Sequence, residues 1–343
     1  MSELHYFTAS GDLELESGAV LTDARIAYQI FGKPNADRSN VVFVGHALTG
    51  NTNVTEWWRG LICEGKLIDT NKYCVISANS LGSCYGSTGH DAQGNFPTIT
   101  IRDIARANNL LLRHLGFDQL LLGIGGSMGG MIVLEMALEQ PDLYANLIPV
   151  AVTASHSPWR IAYSSIIRKT IEAFAHEGEG GLTKGLRLAR QIGMVSYRSS
   201  IEFESRFGRE SLSDDPEHYF SSDNLFEVES YLEHQGDKIV ARFDPRSYLT
   251  LTRAMELYDL TRGRVASALR DLPARVLTVA ISTDVLYPVA ECREFAEQFT
   301  YGEFAVLDSH FGHDAFLVDD TKLAALITPF VEDARCFVKE VAA

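Results

Sequence analysis

The chain has 343 residues, of which 46% are hydrophobic and 22% charged, and this composition is typical of a globular protein with one large core. A formal net charge of −15 argues against binding to nucleic acid or to an anionic membrane surface through a general electrostatic field. The five cysteines are scattered and lack C-x-x-C spacing, so they indicate free thiols, with neither a disulfide framework nor a zinc site.

The N-terminal residues 1–18 carry four acidic side chains and no apolar segment of the kind that a secretory signal has. No stretch of the chain approaches the roughly 20 consecutive apolar residues that a membrane-spanning helix needs. We therefore expect a cytoplasmic protein that is not inserted in a membrane.

The first predicted strands lead into a loop bounded by glycines. Residues 24–31 alternate partly between apolar and polar and predict an early, partly exposed strand. Residues 41–44 are fully apolar and predict a buried strand, which the loop 45–50 follows. We interpret His46 in this loop as a packing residue rather than a proton-transfer group.

A long loop separates the next predicted strand from the next predicted helix. Residues 73–78 predict a strand, and the glycine- and serine-rich loop 79–96 has a length that usually marks a functional or mobile segment. Thr100 is a good N-cap for a helix whose apolar face is closed by Gly116.

The centre of the chain reads as strand, sharp turn and helix. Residues 120–126 predict a buried strand, residues 131–138 predict a helix, and the turn Gly125-Gly126-Ser127-Met128-Gly129 has the pattern G-x-S-x-G. The glycines are needed because side chains two residues from a serine in such a tight turn would collide. Such an elbow presents the Ser127 hydroxyl at a helix N-terminus, where a developing oxyanion is favoured. Neither G-x-G-x-x-G nor a phosphate-binding loop fits the spacing.

In proteins with such an elbow, a second oxyanion N–H comes from the loop after a central strand, and residues 45–50 are the candidate for it. Strands are again predicted at residues 147–152, 275–281 and 304–307. A final helix is predicted to start near Ala315, with a possible break at Pro329.

Residues 155–265 differ from the rest because they are amphipathic and show no clear strands. They predict four helices, which cover residues 159–176, 182–192, 199–207 and 247–260. Strands that alternate with helices predict an α/β fold with a mostly parallel sheet covered by helices on both faces. We therefore divide the chain into an α/β-hydrolase core, residues 1–154 and 266–343, and an inserted helical lid, residues 155–265.

A serine nucleophile needs a base and a carboxylate that orients the base, and in this fold they follow the serine in the order acid, then histidine. Asp284 follows the strand 275–281 at the same sheet edge as Ser127, whereas Asp271 precedes that strand. A solvated loop carboxylate is the alternative interpretation of Asp284. His313 follows the last strand and is preferred as the base to His310, because a glycine precedes it and a helix follows it. The two histidines lack a third clustered ligand, so we expect no metal site.

Several separated segments resemble one family, the homoserine O-acyltransferases of the α/β-hydrolase superfamily. The resemblance covers nearly the whole chain, the predicted lid included. It rests on residues 45–50, 57–58, 68–70, 79–89, 96–103, 125–131, 196–199, 227–232, 242–244, 247–249 and 312–317.

The resemblance implies acetyl transfer from acetyl-coenzyme A to the hydroxyl of L-homoserine, a step of methionine biosynthesis, through an acyl-serine on Ser127. It also implies that no cofactor is permanently bound and that the protein is a homodimer through the lid helices. The residues that it implies are Leu48 and Met128 as oxyanion donors, with Arg190, Tyr197, Asp314 and Thr49 as substrate-binding residues. Arginine suits the α-carboxylate of the amino acid and aspartate its α-ammonium.

Other functions remain open on the residues alone. Succinyl donors and serine acceptors occur in proteins of this kind, and a serine hydrolase that acts on esters or thioesters would use the same triad. A binding module that keeps the fold without catalysis is the alternative of another class, and the presence of Ser127, Asp284 and His313 argues against it.

Overall fold

The computed structural model describes residues 2–213, 218–222 and 225–341. Its main sheet has eight strands in the order β1-β4-β6-β5-β7-β8-β9-β10, and β2 and β3 form a separate hairpin. The strands are β1 (His5–Thr8), β2 (Asp12–Glu14), β3 (Val20–Thr22), β4 (Arg25–Phe31), β5 (Val41–Gly45), β6 (Cys74–Ala78), β7 (Leu122–Gly126), β8 (Asn146–Val150), β9 (Arg275–Ile281) and β10 (Gly302–Leu307).

The pairing of the main sheet is antiparallel only where β4 meets β1 and β6, and all other pairs are parallel. Strands β5 to β8 are buried on both faces, because helices cover both sides of the sheet, and this is why their sequences are mostly apolar. The predicted α/β fold with a mostly parallel sheet is confirmed.

From β5 onward, helices separate consecutive strands of the main sheet. They are α1 (Val54–Trp57), α2 (Ile101–His114), α3 (Met128–Glu139), α4 (Pro158–Glu172), α5 (Glu179–Tyr197), α6 (Ser200–Phe207), α7 (Glu227–Val240), α8 (Pro245–Glu256), α9 (Val289–Ala296), α10 (Ala315–Val318) and α11 (Asp320–Val341). Helix α2 begins as predicted at Thr100, whose hydroxyl accepts from Asp103 N–H while the Asp103 carboxylate accepts from Thr100 N–H. No helix in the described part of the chain is both long and apolar enough to cross a membrane.

The described residues between positions 155 and 265 contribute helices and no strand to either sheet. All four predicted helices are present with shifted ends: α4 stops at Glu172, and α5 continues to Tyr197, five residues beyond its predicted end. Helix α7 was not predicted. It packs against α5, and Gly236 lets it approach closely, since a Cβ there would lie 2.8 Å from the carbonyl oxygen of Arg187.

Two further predictions need correction, and three strands were missed. The N-terminal strands β1, β2 and β3 were not predicted, and β4 is more buried than the prediction of a partly exposed strand, because β1 covers its edge. Pro329 does not end the last helix, since α11 runs through it. The buried side chains of Ile327 and Phe330 on either side of Pro329 keep the helix packed on the core, and this outweighs one missing hydrogen bond.

Candidate active site

Ser127 lies at the turn between β7 and α3, as the elbow pattern predicts. Its φ of 53° and ψ of −125° lie in a region that non-glycine residues rarely adopt, at a cost of about 1 to 3 kcal/mol. Two backbone hydrogen bonds hold it there: Ser127 N–H donates to Val150 O at 2.9 Å, and Met131 N–H donates to Ser127 O at 3.1 Å. The strain is therefore maintained by the neighbouring strand β8 and by the first turn of α3.

The glycines around the elbow are required by backbone contacts. A Cβ on Gly125 would lie 2.3 Å from the carbonyl carbon of Gly129, and a Cβ on Gly129 would lie 2.1 Å from the carbonyl oxygen of Gly45. The collisions expected from the sequence thus arise both inside the elbow and between the elbow and the end of β5. The loop after β5 is brought directly against the N-terminus of α3.

The predicted oxyanion donors are the backbone N–H groups of Met128 and Leu48. Met128 is the first residue of α3, where an N–H has no partner within the helix, and it follows Ser127 directly. The Ala47 carbonyl accepts from Gly50 N–H and from the imidazole Nδ1 of His46, both at 2.8 Å. Because C=O and N–H point in opposite directions in a trans peptide, the N–H of Leu48 is turned away from both of them.

His46 is fully buried and supports this loop. Its Nε2 accepts from Ser80 N–H at 3.1 Å, so the proton is on Nδ1, which donates to Ala47 O. Burial lowers the pKa of His46 to about 4, and the ring is neutral at neutral pH. These contacts agree with the interpretation of His46 as a packing residue.

Asp284 and His313 form a buried pair at the same edge of the sheet. The imidazole Nδ1 of His313 lies 2.6 Å from Oδ2 of Asp284, and the other carboxylate oxygen accepts from the N–H groups of Leu286 and Tyr287 at 2.7 and 3.0 Å. Burial by itself would lower the pKa of His313, but the charge and hydrogen bond of Asp284 outweigh it, and the pKa is raised. The Asp284 carboxylate is therefore not a solvated loop group.

The ring of His313 is held by aromatic side chains. It stacks on Tyr287 at 5.2 Å between centroids and meets the edge of Phe316 at 5.7 Å. His310, in contrast, is exposed, and its ring lies against Phe311. Asp271 is also exposed and precedes β9. The structure thus brings Ser127, Asp284 and His313 to one edge of the sheet. The side chain of His310 is at this edge but exposed, and Asp271 lies at the opposite edge.

One cavity contains Ser127 and His313 and lies between the sheet edge and the helices of residues 155–265. From the core it is lined by Leu48, Thr49, Ser127, His313 and Asp314, and from the helices by Arg160, Arg190, Tyr197, Arg242 and Tyr248, among others. The predicted substrate-binding residues therefore share one cavity with the predicted nucleophile.

These residues differ in how they are paired. Arg190 places its guanidinium 5.4 Å from the ring centroid of Tyr197, and no carboxylate of the described residues lies within ion-pair distance of it. Asp314 forms an ion pair with Arg198 at 3.2 Å. Both oxygens of Thr49 accept from Arg242, the backbone oxygen at 2.6 Å and Oγ1 at 3.2 Å. Arg242 also has no carboxylate partner among the described residues, but it donates to Thr49, so Arg190 is the arginine left available for an anionic ligand group.

Arg160, a buried arginine of α4, also lines the cavity and is not among the residues predicted for the site. It donates to Leu286 O at 2.7 Å and to Thr153 Oγ1 at 2.9 Å, and its guanidinium lies 4.4 Å from the ring centroid of Tyr287. Arg160 thereby ties α4 to the segment that carries Asp284. Its partner Leu286 is 126 positions away, and no local pattern distinguishes Arg160 from the other arginines of these helices.

No group of three or more histidine, cysteine or acidic side chains within the described ranges could hold a metal ion. Of His310 and His313, only His313 lines the cavity, and its Nδ1 is hydrogen-bonded to the Asp284 carboxylate.

Comparison with known proteins assigns relatives over nearly the whole chain. Residues 40–176 match a family model described as alpha/beta hydrolase fold. The homoserine O-acetyltransferase of Moorella thermoacetica is 40% identical, with 96% of each chain covered. The crystal structure of homoserine O-acetyltransferase from Staphylococcus aureus is 30% identical with a TM-score of 0.81, covering 96% of this chain and 95% of that one. An acetylester hydrolase from Corynebacterium glutamicum, 24% identical with a TM-score of 0.81 and a coverage of 97% and 96%, shares the fold.

Proposed function

The chain belongs to the homoserine O-acetyltransferase family, and we propose that it transfers an acetyl group from acetyl-coenzyme A to the side-chain hydroxyl of L-homoserine, a step of methionine biosynthesis. The observation that carries this proposal is 40% identity over 96% of both chains to an enzyme of that name. Fold likeness alone would not carry it, because an acetylester hydrolase has a similar structure.

In the first half-reaction the Ser127 hydroxyl attacks the thioester carbonyl of acetyl-coenzyme A, and His313 takes the proton of that hydroxyl. The C–S bond then breaks, the thiolate leaves with the proton from His313, and acetyl-Ser127 remains. The N–H groups of Leu48 and Met128 stabilise the oxyanion of the tetrahedral intermediate. Asp284 accepts from Nδ1–H of His313 at 2.6 Å, which directs the other ring nitrogen to Ser127 and stabilises the imidazolium.

In the second half-reaction His313 takes the proton of the homoserine hydroxyl, and the hydroxyl oxygen attacks the acetyl carbon. The ester bond to Ser127 breaks, and the proton passes from His313 to the serine oxygen. Acceptor recognition uses Arg190 for the α-carboxylate, Asp314 for the α-ammonium, and the neighbouring polar groups of Tyr197 and Thr49. An unpaired guanidinium in the cavity supports this assignment of Arg190.

Residues 155–265 act in this proposal as a lid on the catalytic core, residues 1–154 and 266–343. The lid supplies one wall of the cavity and keeps water from acetyl-Ser127 until the acceptor binds. Exposed apolar side chains on its helices, Trp159, Ile166, Val195 and Ile201, support a homodimer formed through the lid. A biosynthetic enzyme of this kind acts in the cytoplasm, on small molecules, and without a permanently bound cofactor.

Release of free coenzyme A tests the proposed function. Acetyl-coenzyme A and succinyl-coenzyme A are each incubated with the protein, with L-homoserine, with L-serine or with no acceptor. The proposal predicts many turnovers of release only from acetyl-coenzyme A with L-homoserine, whereas acetyl-coenzyme A without an acceptor should give a single burst of one equivalent per enzyme. Equal steady-state release without an acceptor would identify a thioesterase instead, and preference for succinyl-coenzyme A or L-serine would identify the other donor or acceptor.

A further inference from the structure

The lid contacts the loop of the catalytic histidine through a short segment between α5 and α6. Ser199, the N-cap of α6, donates its hydroxyl to His310 O and accepts from Glu202 N–H at 3.0 Å. Gly312 has a φ of 67°, and a Cβ there would lie 2.7 Å from the backbone of both Arg198 and Ser199. The backbone of this segment thus packs directly on the loop that carries His313 and Asp314.

Arg198 extends this contact to the Asp314 side chain. Its Nε lies 3.2 Å from Oδ2 of Asp314, an ion pair whose angle does not meet hydrogen-bond geometry, while Nη1 lies 3.7 Å from Oε1 of Glu202. The three side chains are largely removed from water, with exposed fractions of 15% for Arg198, 17% for Asp314 and 5% for Glu202. Water screens such a pair less than an ion pair on the surface, so the attraction between the Arg198 and Asp314 charges is stronger.

Asp314 lines the cavity, whereas Arg198 does not. Any effect of Arg198 on a ligand therefore has to pass through Asp314. A carboxylate has two oxygens, and the closest approach of Arg198 is to Oδ2. Oδ1 is the acceptor that remains for a ligand in the cavity.

We propose that Arg198 is a positioning residue for the acceptor, because it holds one oxygen of Asp314 and so fixes the other for the α-ammonium of the amino acid. This inference rests on the proposed function and adds how the amino group of the acceptor is selected. A misplaced carboxylate costs recognition of the ammonium and leaves recognition of the α-carboxylate intact. Arg198 therefore determines the preference for an amino acid over the same hydroxy acid without its amino group.

Two acceptors that differ only in the α-amino group test this role. The preference is the ratio of kcat/KM for L-homoserine to kcat/KM for 4-hydroxybutanoate, measured for wild type, Arg198→Met, Arg198→Lys, Asp314→Asn and the double variant Arg198→Met with Asp314→Asn. The burst of coenzyme A from acetyl-coenzyme A shows for each variant that acylation is possible. Arg206→Met is the matched control, since Arg206 approaches Glu202 from the solvent side at 3.4 Å.

We expect Arg198→Met to lower the preference about tenfold or more, mainly through KM for L-homoserine, and Arg198→Lys to restore most of it. The double variant should be no worse than Asp314→Asn alone, because Arg198 acts through that carboxylate. Arg206→Met should change the preference by less than about twofold.

An equal loss for both acceptors in Arg198→Met would overturn the proposal, because it would indicate a general structural role. A further loss in the double variant beyond that of Asp314→Asn would overturn it as well. Failure of the proposed function gives a different result. L-homoserine would then not stimulate release of coenzyme A by the wild type or by any Arg198 variant, and both proposals would be wrong.

Discussion

The Cα of Gly129 faces the carbonyl oxygen of Gly45 so closely that a Cβ on Gly129 would lie 2.1 Å from that oxygen. This contact joins the N-terminus of α3 to the end of β5. Of the two proposed oxyanion donors, Met128 comes one residue before Gly129 and Leu48 comes three residues after Gly45. The spacing of the two donors therefore depends on a contact between main chains, with no side chain between them.

Gly129→Ala should separate the two segments. We expect a loss of about 1 to 3 kcal/mol in the free energy of unfolding from overpacking, and a fall in kcat of about 100-fold or more from the displaced oxyanion donor. Gly180→Ala is the control, because a Cβ there meets no atom within 4 Å. Urea unfolding and steady-state rates check both; full activity in Gly129→Ala would show that the donors do not depend on this contact.

His313→Ala should lower the rate of Ser127 acylation by roughly ten-thousandfold, because the base is lost. His310→Ala should change the rate by no more than about twofold, since His310 is exposed and away from the cavity. Stopped-flow release of coenzyme A measures both variants. A larger loss in His310→Ala would reverse the assignment of the base.

The pH dependence of acylation should report the coupling of His313 to Asp284. Acylation needs the neutral imidazole, so kcat/KM for acetyl-coenzyme A should fall at acid pH as His313 is protonated, with a midpoint above the ordinary histidine pKa. Asp284→Asn removes the charge that raises this pKa, so the acid limb should move to lower pH while the rate falls sharply. An acid limb that stays in place would mean that another group controls it.

Much of the fold and of this candidate site could be predicted because the relevant signals are local. The apolar runs that became β5 to β9, the Thr100 cap and the G-x-S-x-G elbow each lie within a few residues. The position of each aspartate relative to β9 then selected Asp284 over Asp271. The catalytic roles of Ser127, Asp284 and His313 remain predictions that the geometry supports.

The features that sequence analysis missed depend on contacts distant in the chain. Helix α7 buries only Tyr231, Gly236 and Ile239, which is too sparse a pattern to identify a helix. Pro329 is tolerated because the flanking residues of α11 are packed on the core. The ion pair of Arg198 joins positions 116 residues apart, so no local pattern could reveal it.

His46 should make the protein less stable on acidification. Its pKa is about 4 in the folded state and about 6.5 in the unfolded chain, so between these values the unfolded state binds a proton that the folded state does not. The free energy of unfolding should therefore decrease as the pH is lowered through this window. The contribution of His46 to this decrease is on the order of 3 kcal/mol.

Urea unfolding at pH 7 and pH 5 measures this dependence. His46→Gln should reduce the loss on acidification, although it lowers stability at pH 7, because the imidazole that holds the loop is gone. His176→Gln, at an exposed position, should leave the loss unchanged. The same pH dependence in His46→Gln as in wild type would contradict the account.

Arg190→Ala should weaken acceptor binding by roughly 2 to 4 kcal/mol through the lost pair with the α-carboxylate, and should affect mainly the second half-reaction. The burst of coenzyme A should keep its size, and the slow turnover should recover at high L-homoserine. Arg187→Ala is the matched control one turn earlier on α5, where the arginine pairs with Asp237 on the surface. If the burst vanishes while homoserine still binds, Arg190 serves the donor site or folding.

The fate of the acetyl group bound to the enzyme tests the proposed acyl-serine mechanism. The protein is mixed with one equivalent of isotopically labelled acetyl-coenzyme A, the adduct is located by mass spectrometry of peptides, and L-homoserine is then added. The mechanism predicts an acetyl adduct on Ser127 that is absent in Ser127→Ala. L-homoserine should remove this adduct rapidly and form O-acetyl-L-homoserine. An adduct at another residue, or release of the label as acetate at the same rate with and without L-homoserine, would contradict it.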